Sequence, residues 1–508
     1  MIKDYYYIPD YSKQRKIKHQ IDEITEEFKN NLDLEIIREL HQENTNLKQE
    51  EIKKVNCFHW IMEFSEVFET KNGFDIIIGN PPYFRVTSAP KLQQKILGKL
   101  GILKEYHHGQ GDIYYDFIVR SFELLREGGQ LIFITSRYWL ESTYSKFLKE
   151  FLKQKVRILK IYDFREQILF KGVDIHNSML YYEKKRPPKK DYKFEAYLFN
   201  EENLKKMKGD QISDYIDNVG NYSIKEWDAN ENWAFVPEIH KKLFLKMKSF
   251  NTKLGDDYNC NQYTNCFRKK HKSLLIFNNE IKEIPGTFLR KYLKMGEINK
   301  YTPNYKQTKY CLVIHNKSID LRNEKLNKFL KKNDISHKEI FEIKNDSEKN
   351  VDKFEDLIYI GYRIPRLFYN FVYVNDKTWI DNTYFITSKK KKVFSLRYLV
   401  GLLNSDLYRY YIDIVGKKKE HEIEIGSTFL KNLPIISKES TLTNDQLIYI
   451  KAIDDTVATI IERELRGEII NNYEIELNNL IYKLYDISIE DQKLIEEYLE
   501  SMNLTLFN

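Results

Sequence analysis

The stretch FDIIIGNPPYFRV, residues 74–86, joins an apolar run directly to an asparagine and two prolines. The run follows the Asn72-Gly73 turn, and its short, apolar character is typical of a buried parallel strand. A second run of this kind, LIFITS (Leu131–Ser136), follows the helix-like DFIVRSFELL and the turn Gly128-Gly129. Helix, tight turn and buried strand make one arm of an α/β sheet. The sequence therefore predicts a Rossmann-like sheet whose first recognisable strand ends at Asn80.

The tetrapeptide NPPY, residues 80–83, lies where ligands bind in a doubly wound sheet, at the carboxyl end of a strand. Pro81 and Pro82 fix φ and lack N–H donors, so the carbonyls around them stay available as acceptors. Asn80 adds a side-chain carbonyl, and Tyr83 adds a flat ring. These groups suit a planar ring with an exocyclic amine, such as adenine. Two acceptors on that amine stabilise the pyramidal form that attacks a methyl sulfonium.

A simpler interpretation of this tetrapeptide is that Asn-Pro merely ends a strand, as it often does. A chance four-residue match directly after a strand is uncommon in one chain of this length. The pattern therefore favours an amine-binding catalytic loop.

Length and composition set broad limits on the kind of protein. A chain of 508 residues predicts two or three domains, and its net charge of +7 permits a polyanionic partner. No cysteine pair has C-x-x-C spacing, so we expect reduced cysteines and no metal site. We expect a cytoplasmic protein without membrane association, because the sequence has neither a signal-peptide pattern nor a bilayer-length apolar run.

The periodicity changes along the chain and predicts four segments. The polar start has helical spacing of apolar residues, KKRPPKK (184–190) is a charged boundary broken by prolines, and the C-terminal end is helical again. The predicted segments are a helical lead-in (1–55), a partial α/β catalytic domain (56–190), a mixed α+β domain (191–436) and a helical segment (437–508).

Several stretches, in this order, resemble the gamma-class, Taq-type adenine-N6 DNA methyltransferases and the related halves of type IIG restriction-modification enzymes. The stretches are CFHWIMEFSEVF (57–68), the 74–86 run, GDIYYDFIVRSFELLREGGQLIFITSRYWL (111–140), ILFKGVDIHNSMLYYEKK (168–185), IGYRIPRLFYN (360–370) and IGSTFLKNLPI (425–435). The resemblance implies methyl transfer from S-adenosylmethionine to a flipped adenine in double-stranded DNA. It also implies that 191–436 recognises the target site.

The resemblance assigns a role to one more aromatic residue. In the family, the residue matching Phe170 packs against the flipped base, so Tyr83 and Phe170 would form the two sides of an adenine slot. Base extrusion costs a few kcal/mol, and stacking returns about 1 to 3 kcal/mol per contact. From the residues alone, a Phe before the Lys171-Gly172 turn favours a place in the core instead.

One family feature is missing from this sequence. Family members bind S-adenosylmethionine through a glycine loop after a first strand, yet only Gly73 and Gly79 precede Asn80 here. Gly109-Gln-Gly111 lacks a preceding apolar strand and predicts a plain loop. We therefore expect a partial sheet lacking its first strands, with the cofactor half supplied by a separate polypeptide or lost by truncation. No nuclease signature is visible, so cleavage by this chain alone is not expected.

Basic and aromatic residues interleave in the second half of the chain, where contact with DNA is expected. Lysine runs are more typical of solvated surface, whereas Arg363 and Arg366 flank Pro365 in an apolar stretch and are better candidates for base contacts. The predicted DNA-contact residues are Arg268, Lys269, Lys270, Arg290, Lys291, Arg363 and Arg366.

Two other functions fit parts of the sequence. One is a non-catalytic DNA-binding specificity remnant. The other is a methyltransferase of RNA or protein glutamine, since NPPY also serves planar base or amide amines, but such an enzyme is not expected to carry this large C-terminal region. The sequence favours a site-specific adenine-N6 DNA methyltransferase of a restriction-modification system.

Overall fold

The protein is described from a computed structural model, which divides the chain into two compact units, 1–237 and 238–508. The described residues are 11–170, 172, 175–187, 191–199, 216–250, 252–263, 276–277, 289–293, 298–304, 309–315, 324–332, 341–343, 354–366, 369–376, 378–380, 383–389, 394–419, 421–437 and 442–507.

The first unit begins with helices and continues as a sheet with helices between its strands. Its helices are α1 (Tyr11–Gln42), α2 (Gln49–Val55), α3 (Trp60–Glu63), α4 (Ser65–Lys71), α5 (Lys91–Ile96), α6 (Leu103–Tyr106), α7 (Ile113–Leu124) and α8 (Lys146–Gln154). Its strands are β1 (Phe74–Gly79), β2 (Leu125–Ser136), β3 (Arg157–Ile168), β4 (His176–Glu183), β5 (Lys193–Phe199) and β6 (Ile216–Ser223).

The sheet has the order β1-β2-β4-β3-β5-β6. The pairs β1/β2 and β3/β5 are parallel, and the other neighbours are antiparallel. Helices α7 and α8 pack on β2 and β3, and the buried residues of this face include Leu131 on β2, Ile161 on β3 and Leu180 on β4. This architecture, with the mixed second unit and the C-terminal helices described below, confirms the predicted fold class.

The other face of the sheet is much less covered. Ile132 and Ile134 on β2 are half-buried, and on β1 the side chains of Ile76 and Ile78 are 55% and 73% exposed. Strand β1 is the last strand on its side of the sheet among the described residues. Parallel strands normally lie between covered faces, so this edge is unusually apolar for a solvent-facing surface.

Local sequence explains how β1 begins. Trp60 stacks on Phe64, and both rings contact Phe74 edge-on at the start of the strand. Gly73 has φ of +131°, and a side chain there would collide with the backbone around Leu125, so the turn before β1 requires glycine. The predicted strand after the Asn72-Gly73 turn is confirmed.

The structure differs from the sequence prediction at two places. Gly128, with φ of +74°, and Gly129 do not end a helix before a strand; they lie inside β2, where its pairing with β1 is irregular. Strands β5 and β6 continue the first sheet beyond Lys190. The compact units therefore divide at 237/238 and not at the predicted segment boundary 190/191.

The second unit mixes small sheets with helices. Its helices are α9 (Glu238–Lys248), α10 (Leu254–Asp257), α11 (Glu324–Lys332), α12 (Leu396–Asn404), α13 (Asp406–Val415), α14 (Ser427–Lys431), α15 (Asn444–Arg466), α16 (Asn471–Leu484) and α17 (Ile489–Phe507). Its strands are β7 (Tyr258–Tyr263), β8 (Ile276–Phe277), β9 (Leu289–Leu293), β10 (Lys309–His315), β11 (Phe341–Ile343), β12 (Leu357–Gly361), β13 (Arg363–Pro365), β14 (Val372–Val374), β15 (Trp379–Ile380), β16 (Thr383–Ser388), β17 (Lys417–Lys419) and β18 (Glu422–Glu424).

These strands form separate small sheets. One has the order β11-β10-β9-β15 with β8 also on β10, one the order β14-β12-β16-β7, and one the order β13-β18-β17. The C-terminal helices pack into the same unit: Glu464 on α15 accepts hydrogen bonds from the backbone N–H groups of Lys300 and Tyr301 and from the hydroxyl of Thr302. The predicted helical character of the C-terminal end is confirmed by α15, α16 and α17. Within the described part, the structure has no helix long and apolar enough to cross a membrane.

Candidate active site

The NPPY loop lies at the carboxyl end of β1, beside the end of β2. Gly79 ends the strand, and a Cβ at this position would lie 3.0 Å from the Phe133 ring, so glycine allows the close approach. Asn80 and Pro82 are exposed, whereas Pro81 is buried. The loop thus presents the Asn80 side chain outward from a rigid turn.

Tyr83 is fixed by contacts with both neighbouring elements. Its hydroxyl lies within hydrogen-bonding distance of Asn80 Oδ1 and, at 3.0 Å, of the Ile134 carbonyl. Its ring meets the Tyr114 ring edge-on, with centroids 5.9 Å apart. Burial raises the pKa of Tyr83 to about 12, against a smaller opposing effect of a hydrogen bond with Asn177. The phenol therefore stays protonated at neutral pH and donates its single hydrogen to one of these acceptors at a time.

Asn177 is a site residue that the sequence did not indicate. It is fully buried opposite Ser136, and its Nδ2 donates to the Thr135 carbonyl at 3.3 Å. Its Oδ1 has no hydrogen-bond partner among the described residues. Only the β2/β4 register brings Asn177 next to Tyr83, and nothing in the local sequence around position 177 reveals that pairing.

Phe170 lies in the connection between β3 and β4 and is 38% exposed. The position is thus not the core position that the residues alone favoured. Between the paired residues Asp163↔Ser178 and Ile168↔His176, β3 advances by five residues while β4 advances by only two. The extra β3 residues form a bulge that sets the direction of the segment leading to Phe170.

A buried ion-pair network anchors the start of this bulge. Arg137, directly after β2, donates from Nε and Nη2 to the two Asp163 oxygens at 2.7 and 3.0 Å, and from Nη1 to Glu141 at 2.7 Å. Asp163 also accepts the backbone N–H of Arg165, whose φ is +51°. Burial alone would raise the pKa of Asp163, but the Arg137 guanidinium holds it below its usual value. Asp163 therefore connects the end of β2 to the left-handed turn that begins the bulge.

The predicted DNA-contact residues lie in different surroundings. Arg363 is 48% exposed, with a loose ion pair of 3.7 Å to Glu422, whereas Arg366 is 12% exposed and binds Asp413 through Nε and Nη2 at 2.7 and 3.2 Å. Lys291 on β9 forms a 2.7 Å ion pair with Asp376. Arg290 is adjacent to it on the same strand. The remaining three predicted residues, Arg268, Lys269 and Lys270, lie outside the described residues.

Asp413 is the centre of the charged cluster around Arg366. Its side chain is 0% exposed, and it also contacts Lys418 Nζ at 3.5 Å and accepts a hydrogen bond from the Tyr498 hydroxyl at 2.7 Å. Burial alone would raise the pKa of Asp413, but the charges of Lys418 and Arg366 hold it well below its usual value. The Arg366 guanidinium is thus part of the internal structure of the second unit.

Two protein families match separate segments of this chain. Residues 9–170 match the family of Eco57I restriction-modification methylases, and residues 290–435 match the TaqI-like C-terminal specificity domain. These two segments are therefore similar to an Eco57I-type methylase and to a TaqI-like specificity domain, which confirms the resemblance to restriction-modification methyltransferases. Among the described residues, no group of three His, Cys, Asp or Glu side chains could hold a metal ion.

Individual relatives are type II methyltransferases or combined restriction enzymes and methyltransferases. The type II methyltransferase M.HincII of Haemophilus influenzae is 30% identical over 181 residues, which are 35% of this chain and 34% of that protein. The type II restriction enzyme and methyltransferase RM.Eco57I of Escherichia coli is 30% identical over 141 residues, 27% of this chain and 13% of that protein. The chain thus spans about a third of the length of M.HincII, and less of RM.Eco57I.

A solved structure also aligns with the chain. It is that of the type IIL restriction-modification enzyme MmeI in complex with DNA, with a TM-score of 0.49 and 14% identity, covering 88% of this chain and 59% of that one.

Proposed function

We propose that this chain is the amine-activating and DNA-recognising part of a site-specific adenine-N6 DNA methyltransferase in a restriction-modification system. The observation that carries the proposal is the NPPY loop at the carboxyl end of β1, with Asn80 exposed on a rigid turn. The methylase and specificity segments on one chain support this function over that of an RNA or protein-glutamine methyltransferase.

The loop acts on an exocyclic amine by accepting its hydrogens. Asn80 Oδ1 and the Pro81 carbonyl each accept one N–H, which favours the pyramidal nitrogen whose lone pair can attack an electrophilic methyl group. For Asn80 Oδ1 to accept fully, the Tyr83 hydroxyl turns its hydrogen to the Ile134 carbonyl, 3.0 Å away. The Tyr83 ring and the exposed Phe170 ring supply the stacking surfaces for the extruded base.

S-adenosylmethionine is the methyl donor expected for an enzyme of this class, and its site must be tested against the residues present. The residues described before Asn80 form α1 to α4 and the single strand β1. They include no strand that runs through a glycine turn into a helix, the arrangement that holds such a cofactor. The described residues before Asn80 therefore do not fit the glycine-loop part of an S-adenosylmethionine site.

A separate polypeptide carrying the cofactor half would complete the sheet at β1. A further parallel strand would pair with the backbone edge of β1, and its helices would cover the apolar face formed by the exposed side chains of Ile76 and Ile78. In this arrangement the partner brings the methyl donor to the carboxyl end of β1, where the NPPY loop begins.

Replacement of Asn80 tests the chemistry. We expect Asn80→Ala to lower methyl transfer about 10²- to 10³-fold, because one preorganised polar contact to the reacting group is lost. The assay measures N6-methyladenine by nucleoside mass spectrometry in amplified genomic DNA, with the chain and the product of the neighbouring upstream gene present. The control is Asn472→Ala, another exposed asparagine, in the first turn of α16. Substantial activity of Asn80→Ala, or methylation of a cytosine amine instead, would refute the adenine assignment.

Calorimetric titration tests the divided cofactor site. The chain alone should bind S-adenosylmethionine very weakly, and the mixture with the product of the upstream gene should bind it tightly. Ile78→Lys should weaken the binding of S-adenosylmethionine by the mixture. Ile448→Lys, at an exposed position of α15, should leave that binding unchanged. Tight binding by the chain alone would show that its cofactor site is complete.

A further inference from the structure

A basic and aromatic cluster beside the NPPY loop has no role in the chemistry above. It consists of Arg85, two residues after Tyr83, together with the rings of Tyr144 and His108. The Arg85 guanidinium lies over the Tyr144 ring, 5.7 Å from its centroid, and the His108 and Tyr144 centroids are 5.3 Å apart. Arg85 is exposed, and the two rings are half-buried.

The backbone around Arg85 is held firmly. The Phe84 carbonyl accepts the N–H of Ile113 at 2.8 Å, and the N–H of Val86 donates to the Gly111 carbonyl at 2.9 Å. Arg85 therefore lies between two hydrogen bonds that fasten this segment to the loop before α7. These bonds fix the main chain of Arg85, opposite Asp112, and its side chain extends from there over the Tyr144 ring.

Arg85 differs from three other arginines of this unit in its ion pairing. Arg120, Arg126 and Arg137 each form an ion pair with a nearby carboxylate. Arg85 forms no ion pair with a carboxylate in the described part of the chain, where its side chain contacts the Tyr144 ring. An exposed guanidinium that lies over an aromatic ring and forms no ion pair can bind the anionic group of a ligand.

The aromatic rings beside Arg85 indicate which class of anion it would bind. Burial lowers the pKa of His108, with a smaller effect of the neighbouring His107, so at neutral pH this residue contributes an uncharged ring. Two extended residues span at most about 7 Å, so the backbone of Arg85 starts within one or two nucleotide spacings of the Tyr83 ring. An arginine beside flat rings suits a phosphodiester next to an exposed base.

We propose that Arg85, Tyr144 and His108 form a binding site for a backbone phosphate of the DNA strand that carries the target nucleotide. This inference rests on the proposed function, since it places the phosphate next to the base held at the NPPY loop. The guanidinium neutralises the phosphate, Tyr144 keeps the guanidinium in place, and the two rings line the path of the adjacent nucleotide. The site fixes the position of the strand and reads no sequence.

DNA binding at several salt concentrations tests this site. Fluorescence anisotropy is measured with a 30-nucleotide single strand and with a mixed-sequence duplex of the same length, and methyl transfer is not required. Arg85→Gln should bind about tenfold more weakly at low salt and lower the slope of log K against log salt by about 1. Arg85→Lys should keep the slope, because it keeps the charge, but not the full affinity. Tyr144→Phe should behave as the unmodified chain, and Tyr144→Ala should lose part of the affinity.

The matched control is Arg126→Gln, a partly exposed arginine at the opposite end of β2 whose charge is already paired with Asp75. This variant should keep both affinity and slope. Equal slopes for Arg85→Gln and Arg126→Gln would overturn the phosphate site alone. A complete lack of DNA binding by the unmodified chain would overturn both this site and the proposed function.

Discussion

The two candidate DNA-facing regions use their basic residues in opposite ways. At the carboxyl end of β1, Arg85 is exposed and without a carboxylate partner among the described residues. In the second unit, Arg366 and Lys291 are bound to aspartates, and Arg363 is the more exposed arginine of its strand region. We therefore expect an arginine to be available to DNA where its ion pair is absent or loose and exposed, and not where it is bound to a buried carboxylate.

The largest expected effect is a difference in stability between variants of the two arginines around Pro365. Arg366→Ala should lower the free energy of unfolding by about 3 to 5 kcal/mol, because it leaves Asp413 buried with part of its charge uncompensated. Arg363→Ala should change it by no more than about 0.5 kcal/mol, because that side chain is exposed and its ion pair is loose. Urea unfolding, followed by circular dichroism, measures both.

If Arg366→Ala and Arg363→Ala had similar stabilities, Arg366 would not be a structural arginine that differs from the exposed Arg363. Arg366→Lys is a useful companion variant, since it keeps the charge but loses the two-pronged contact with Asp413. We expect its stability to fall between those of the unmodified chain and Arg366→Ala.

The sequence predicted the elements that depend on local pattern. The strand before NPPY, the helix at DFIVRSFELL (116–125) and the helical C-terminal end follow from apolar spacing and turn residues, and all are present. Contacts between distant residues were not predictable in this way. Arg366 and Asp413 are 47 positions apart, and Tyr83 and Ile134 are 51 apart, so only the folded chain shows that they are partners.

The pH dependence of the free energy of unfolding tests the contribution of Asp413, the buried partner of Arg366. The pKa of Asp413 is lowered in the folded state, so its contribution to stability is fully present above the unfolded value of about 4 and is lost as the pH falls through the folded value. Between pH 5 and pH 2 the unmodified chain should lose about 2.5 kcal/mol from this group. Asp413→Asn should be less stable at pH 7 but should show a shallower decline over this range. An unchanged slope would mean that Asp413 does not contribute to acid sensitivity.

DNA recognition by Arg363 is the next effect in size. If Arg363 contacts a base edge, Arg363→Ala should weaken binding to the preferred site by about 1 to 3 kcal/mol and relax selectivity at one position. Sequencing the bound fraction of a randomised duplex pool measures this for any target sequence. Arg466→Ala, an exposed arginine at the end of α15, is the control. An unchanged sequence preference would make Arg363 an ordinary surface residue.

The smallest expected effect concerns the Tyr83 hydroxyl. Tyr83→Phe keeps the ring and its contact with Tyr114 but removes the donor shared by Asn80 Oδ1 and the Ile134 carbonyl. Stability should fall by about 0.5 to 1.5 kcal/mol, the usual net value of one hydrogen bond.

The rate of methyl transfer by Tyr83→Phe should remain within about tenfold of normal, because Asn80 Oδ1 is then free to accept the amine. Tyr83→Ala should lose stacking on the base worth about 1 to 3 kcal/mol. Stability is measured by urea unfolding and the rate by single-turnover methylation. If Tyr83→Phe were as defective as Tyr83→Ala, the hydroxyl would take part in orienting Asn80 for the reaction, and the resting contact between the two side chains would be the active one.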